Sequence, residues 1–411
     1  MRSKWVSAGV AVVAVAMLVA TPAQASAPLP VRAIDPGTAS GAAEAVAGAY
    51  RAAYPAMSIA DARTAAAQQA QRRLLHDTVE GDQKTFGGSW YDAPSGVLHV
   101  AVTTAAAEAT AATLGRELGI RVQTHRVART FADLERQAAA IRGGTGALSA
   151  AAAGNVGLDL VDNQVVVAVP ALRMASLAAD AVPAGVRVAA RKATPVEPDA
   201  CTARTDCADS LRAGLKLSPQ CSLGFTFRDK FTPNTRWVMT AGHCSTGVGV
   251  TWSTGGTTIG TLTGATDRDS LDIASISTTN ATYLADTVGR IYMHGATNRF
   301  VPVNGAPTRT SSMMAGEVVC LSANVTTPTG ANNCAVIELV SDPQVRGMVK
   351  ATGYDACGGD SGGGWYQLTS DNRRNAYGIH SRSTAGCNAT PAESWFTPVP
   401  GFTGGMTIET G

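Results

Sequence analysis

The chain has 411 residues, of which only 16% are charged, and its formal net charge is +2. That length exceeds one ordinary domain and predicts two. A nearly neutral chain offers no electrostatic footprint for a nucleic-acid partner.

Residues 1–27 read as a secretory signal. Arg2 and Lys4 form a basic start, and an apolar run follows from Trp5 to Ala20. Small residues then allow cleavage after Ala25 or after Ala27. The run is shorter than the roughly 20 residues that span a bilayer, which argues against an anchor. The processed protein is therefore expected to be secreted, soluble and free of the membrane.

Residues 28–200 are Ala-rich and contain no cysteine. Glu44 to Ala70 is composed mostly of good helix formers, broken at Pro55. The run Asp92-Ala93-Pro94-Ser95-Gly96 predicts a turn, and Val97 to Val102 a strand after it. Thr104 to Leu118 predicts a helix. So does Thr130 to Ile141, where Phe131, Leu134, Ala138 and Ile141 keep helical spacing. Asp162-Asn163 marks a turn before a β-branched strand at Gln164 to Val169. This half reads as a small α+β domain.

Residues 201–411 change character. All eight cysteines lie here: Cys201, Cys207, Cys221, Cys244, Cys320, Cys334, Cys357 and Cys387. An even number in an exported chain predicts disulfides, but eight cysteines allow 105 connectivities. Lys and Arg number 15 here, as do Asp and Glu. Short β-branched runs alternate with Gly-rich turns, at Trp237–Thr240, Thr257–Leu262, Asp272–Ile276, Ala335–Val340 and Ala376–Ser381. That pattern predicts an all-β sandwich or barrel.

Three short segments carry chemistry. Gly358-Gly359-Asp360-Ser361-Gly362-Gly363 surrounds a serine with residues that permit tight backbone angles and close substrate approach. Such a hydroxyl needs a base to become a nucleophile. Thr240-Ala241-Gly242-His243-Cys244 supplies a histidine after a strand, and imidazole titrates near neutral pH. Leu271-Asp272-Ile273-Ala274-Ser275-Ile276 puts an acid into an apolar strand. A carboxylate buried there needs a partner, and orienting the histidine would provide one. No His or carboxylate cluster has metal-ligand spacing, so neither metal nor cofactor is expected.

These segments, in the order His, Asp, Ser, resemble the trypsin and chymotrypsin superfamily. The spacings, 29 residues from His243 to Asp272 and 89 from there to Ser361, resemble its compact bacterial branch, which includes the streptogrisins and α-lytic protease. The resemblance covers about 211–411 and implies a double six-stranded antiparallel β-barrel with its active site between the barrels. It implies that Ser361 attacks the scissile carbonyl, His243 relays the proton and Asp272 orients His243. The oxyanion would be held by the N–H groups of Gly359 and Ser361. Ser381 matches the strand that pairs with substrate backbone. Asp360 is expected to pair with a buried cation.

The same resemblance implies disulfides Cys221–Cys244, Cys357–Cys387 and Cys320–Cys334, with Cys201 and Cys207 left as a remaining pair. It places Asp355, six residues before Ser361, at the base of the primary pocket, where it would favour Arg or Lys at P1. Ser383 and Arg382 stand where they could narrow or neutralise that pocket, and Glu393 could add negative charge. Phe86 to Asp92 with Gly96 to Thr103 resembles the pro-regions of the α-lytic protease group. Residues 28–200 would then be a removable folding assistant and inhibitor of a protease domain at 201–411. Cleavage would fall near Ala200 or near Ser210. The mature enzyme is expected to act on polypeptides and to be a monomer.

Two other functions compete. Gly359-Asp360-Ser361-Gly362-Gly363 also fits the nucleophile elbow of serine esterases, with Asp371 and His380 following it. Only 50 residues remain after the serine, and the strand–helix alternation of that fold is missing. A protease-like protein used for binding or adhesion, without turnover, is the non-enzymatic alternative.

Overall fold

The computed structural model describes residues 39–411, apart from 153, 175–176, 178–181, 192–195, 199–210, 219–220, 233, 269, 287, 294–298, 326–332, 371, 385–386 and 388. The signal segment, Cys201, Cys207, both maturation points and Asp371 lie outside the described residues. No described helix is long and apolar enough to cross a membrane.

The chain opens with three helices, α1 (Ala39–Ala53), α2 (Ile59–Ala67) and α3 (Gln69–Glu80). Pro55 lies in the gap between the first two, where a proline cannot continue the hydrogen-bond ladder. Strands β1 (Phe86–Asp92) and β2 (Val97–Val102) form a hairpin around the expected turn. Helix α4 (Ala105–Glu117) then crosses to β3 (Val122–Arg126), which runs parallel to β2. Thr104 caps α4 by accepting from the Ala107 amide, and Thr130 with Asp133 forms a capping box at the start of α5 (Phe131–Gly143). Both caps satisfy amides that the first helical turn leaves unpaired.

A second unit repeats the plan. Strands β4 (Val156–Asp159) and β5 (Gln164–Val169) are antiparallel, and β6 (Val186–Ala190) is parallel to β5. This half is therefore α/β, with two small mixed sheets and helices.

The C-terminal half is built from antiparallel strands. Six of them order β12 (Thr251–Thr254), β13 (Thr257–Arg268), β14 (Leu271–Thr278), β11 (Arg236–Thr240), β10 (Thr226–Asp229) and β23 (Met406–Ile408). The other main sheet runs β20 (Gly364–Leu368), β17 (Val318–Ser322), β18 (Cys334–Asp342), β19 (Met348–Thr352), β22 (Glu393–Pro398) and β21 (Arg374–Thr384). Strand β21 pairs back onto β20, so these six close into a barrel. Two smaller pairs complete the strands, β8 (Lys216–Leu217) with β9 (Cys221–Ser222) and β15 (Arg290–Met293) with β16 (Arg299–Pro302).

Of the expected pair of barrels, one is closed among the described residues. Among the described residues the first sheet has six strands, but β12 and β23 at its ends do not pair. Strand β23 is only three residues long and pairs with β10, while β12, beyond its pairing with β13, meets a single bridge, Ser218 with Ser253. That sheet has its own core around Leu223, Val238, Trp252, Ile259 and Ile276. Each such side chain contributes about 1.5–3 kcal/mol on burial.

The two halves share the other core. One apolar cluster runs from Val46, Leu75 and Phe131 into Val318, Val336 and Trp365 of the closed barrel. The described residues fall in a single compact unit. Polar bonds cross the same seam. Tyr50 Oη donates to the Gly316 carbonyl (3.0 Å), and the Tyr91 amide donates to the Ala315 carbonyl (2.8 Å). The Gln69 amide donates to the Leu368 carbonyl (3.1 Å) while accepting from the Ser370 amide (3.0 Å).

Candidate active site

Strand β11 ends at Thr240, and the chain turns into a single 3-10 turn at Gly242–Cys244. Gly242 is required there. A Cβ at this position would lie 1.9 Å from the Thr266 carbonyl oxygen, so only glycine lets the turn press against β13. His243 follows, with its side chain 14% exposed.

Asp272 opens β14 directly beneath this turn and is fully buried. Its Oδ1 accepts from the His243 amide (2.9 Å) and its Oδ2 from His243 Nδ1 (2.7 Å). The Ser381 hydroxyl also donates to Oδ2, and the Asp272 amide donates to Thr397 Oγ1 (2.9 Å). Burial alone would push this carboxyl up. The hydrogen bonds and charge of His243, with the Ser381 hydroxyl, outweigh it and hold the group below its ordinary value. Asp272 is therefore an anion at neutral pH, aimed at one imidazole nitrogen.

The other nitrogen faces the serine. His243 Nε2 lies 2.9 Å from Ser361 Oγ, closing a chain of bonds across 118 residues of sequence. The serine loop is held from both sides. The Ser222 amide donates to the Ser361 carbonyl (2.7 Å), and the Gly362 amide to the His380 carbonyl (2.9 Å). Gly362 has φ +88°, and a Cβ there would lie 2.0 Å from Thr240 Oγ1. Gly359 has φ +105°, again a backbone that L side chains rarely adopt. Asp360 is buried and accepts from the amides of Val325 and Cys357, each at 2.9 Å.

Cys221–Cys244, Cys320–Cys334 and Cys357–Cys387 are bonded. The first ties the residue after His243 to β9, and the third ties the serine loop to the end of β21.

The other singled-out residues lie around this centre. Asp355 is buried and accepts from Thr384 Oγ1 (3.1 Å) and the Ala389 amide (2.8 Å). Ser383 Oγ donates to the Ala356 carbonyl (2.9 Å). Arg382 turns to Asp267, at 3.0 and 3.2 Å, and Arg346 bonds the same carboxylate. Glu393 pairs with Lys350 (2.8 Å). Among the described residues no group of three or more His, Cys, Asp or Glu could hold a metal.

Three features were invisible in the sequence. The Ser381 hydroxyl serves Asp272, Thr397 anchors the Asp272 backbone from a distant strand, and a strand precedes the second half. This last, β7 (Val196–Pro198), pairs antiparallel with β21, placing Pro198 opposite Arg382 and Val196 opposite Thr384. Ser381 and Thr397 lie in strands that carry several other polar residues, so nothing local marked either of them.

The geometry can be set against known proteins. Residues 218–404 match the sequence model of the Trypsin family. The C-terminal half is a trypsin-family serine protease domain. No curated protein matches the chain. Among solved structures, the one described as "Crystal structure of Rv3671c protease, inactive form" is 18% identical, with 47% of this chain covering 88% of that one. Its TM-score of 0.25 is too low to support any argument about the protease domain.

Proposed function

We propose that this chain is the precursor of a secreted serine endopeptidase that cleaves peptide bonds through an acyl-enzyme. The single observation carrying the reading is the continuous bond from Asp272 Oδ2 through His243 Nδ1 and Nε2 to Ser361 Oγ, at 2.7 and 2.9 Å. Ser361 is the nucleophile. His243 takes its proton and returns one to the leaving amine, and Asp272 stabilises the imidazolium that forms between these steps. The amides of Gly359 and Ser361 are the oxyanion donors, a role that the left-handed backbone at Gly359 supports.

Residues 1–27 are assigned as the signal, 28–200 as a pro-region and 201–411 as the protease. The seam hydrogen bonds support an N-terminal region that assists folding, as in the α-lytic protease branch. Strand β7 supports inhibition, since it lies along β21 immediately beyond Ser381, the edge on which a substrate would pair. A free cleft then requires that segment to leave. Asp355, buried six residues before Ser361, supports a preference for Arg or Lys at P1.

A fluorophosphonate probe tests the main assignment. The processed protein should be labelled at Ser361 and should hydrolyse peptides. Absence of both, in a folded and processed sample, would leave the binding reading instead. A peptide-library profile tests the pocket: Asp355→Ser should remove Arg/Lys selectivity, and an unchanged profile would refute the assignment of Asp355. Processing between 199 and 211 is checked by the N-terminal sequence of the secreted form.

A further inference from the structure

Helix α3 presents Arg73, His76 and Glu80 at spacings of three and four, which places them on one face. That face docks on the protease half. Arg73 Nη1 donates to the Ser312 carbonyl (2.7 Å) and pairs with Glu317 Oε1 (3.1 Å). Glu80 Oε1 accepts from Ser311 Oγ (2.7 Å) and from Arg309 (3.2 Å). His76 sits between them and is fully buried.

The surroundings of His76 favour a neutral ring. Its Nδ1 meets Ser89 Oγ at 2.7 Å, and the Phe86 ring packs edge-on against it at 5.7 Å. Its Nε2 is buried and makes no hydrogen bond of good geometry among the described residues, although the Ser311 and Ser312 backbone lies close enough to favour a charged ring. The charged and titratable groups around it are Arg73, Asp77 and Glu80 on its own helix and Arg309, Glu317 and Tyr377 on the protease side. The anions among these are already engaged. Glu317 also accepts from Gln367 Nε2 (2.6 Å), Tyr377 Oη (2.9 Å) and the Met314 amide (3.1 Å). A second cation placed beside Arg73 in this dry space would have no anion of its own.

We propose that protonation of His76 undocks α3 from residues 309–317, so that mild acid loosens the hold of the N-terminal region on the protease domain. Burial, then the Arg73 charge, lower the imidazole pKa from 6.5 to about 3, and hydrogen bonding to the Ser311 and Ser312 backbone opposes them. The docked state therefore refuses a proton that the open state accepts below pH 6.5. Docking is at full strength above that value and weakens as pH falls towards 3. With these two values the open state gains about 30-fold at pH 5 over pH 7.5. The inference does not depend on the catalytic assignment.

The test uses the full chain carrying Ser361→Ala, which prevents self-cleavage. Amide hydrogen exchange, corrected for intrinsic rates, is measured on peptides covering 69–80 and 309–317 at pH 7.5 and 5.0. Protection should fall about 30-fold in this parent and less than about threefold after His76→Gln, which cannot titrate. The variant keeps Glu80, Glu317 and two further histidines of the N-terminal region, His99 and His125, whose rings stack with Nδ1 and Nε2 2.9 Å apart, so these groups are common to both proteins. Equal losses in parent and variant, or no loss in the parent, would overturn the proposal. Should His76→Gln fail to fold, ¹³C NMR titration of His76 in the parent decides independently. A ring that protonates near pH 6.5 while α3 stays protected refutes it; a ring that stays neutral until protection is lost supports it.

Discussion

Asp272 and Glu317 are both buried carboxylates of the C-terminal half, yet their partners come from different places. Every group bonded to Asp272 lies within that half: His243, Ser381 and Thr397. Glu317 draws Gln367, Tyr377 and Met314 from the same half but takes its cation, Arg73, from the N-terminal region. Removing the N-terminal region would leave the first set whole and strip the second of its only salt-bridge partner among the described residues. The cleft is thus built to stand alone, and the seam is built to depend on both halves.

The largest effect that tests this contrast is at the cleft. Ser361→Ala should abolish fluorophosphonate labelling and lower peptide turnover by about 10⁴-fold or more, with the fold unchanged by circular dichroism. Asp272→Asn should come next, lowering kcat by about 10³–10⁴-fold, because the amide cannot hold the imidazolium and selects the wrong tautomer. If either loss were matched by a variant confined to the seam, the division between cleft and seam would fail.

Stability changes should be smaller and should separate the regions. Removing the Cys221–Cys244 bridge by paired Ser substitution should cost about 3 kcal/mol in denaturant unfolding, since the bond closes a loop of moderate length. Arg73→Met should destabilise the full chain by about 2–3 kcal/mol, because Glu317 keeps its burial and loses its cation. The processed enzyme, which no longer contains residue 73, should keep its kcat, and a change there would show that the N-terminal region leaves a lasting mark on the cleft during folding. Thr397→Val should be the mildest, lowering stability by about 1 kcal/mol through the buried Asp272 amide left without its acceptor.

Much of the local structure was legible. Strands Val97–Val102 and Gln164–Val169 lie where their patterns predict, and Thr104 and Thr130 cap the helices they precede. These elements depend on interactions within a few residues, so local sequence specifies them. Helix α3 was only partly legible. The expected helix ended at Ala70, because Arg72, Arg73, His76 and Glu80 give no apolar stripe to read. Their burial becomes favourable only when Tyr50, Tyr91, Ser311 and Glu317 arrive from elsewhere.

The sequence by itself determined the candidate chemistry. A glycine-flanked serine, a histidine beside a cysteine and an acid in an apolar strand each announce an unusual local environment, and a local environment is what a short motif encodes. Only the tertiary structure decided that they meet within 2.7–2.9 Å, that strands β17–β22 close into a barrel through the pairing of β21 with β20, and that β7 lies along β21. Those outcomes rest on pairings between residues tens to hundreds of positions apart, whose energies depend on strand register and shared burial and leave no mark on any one stretch of chain.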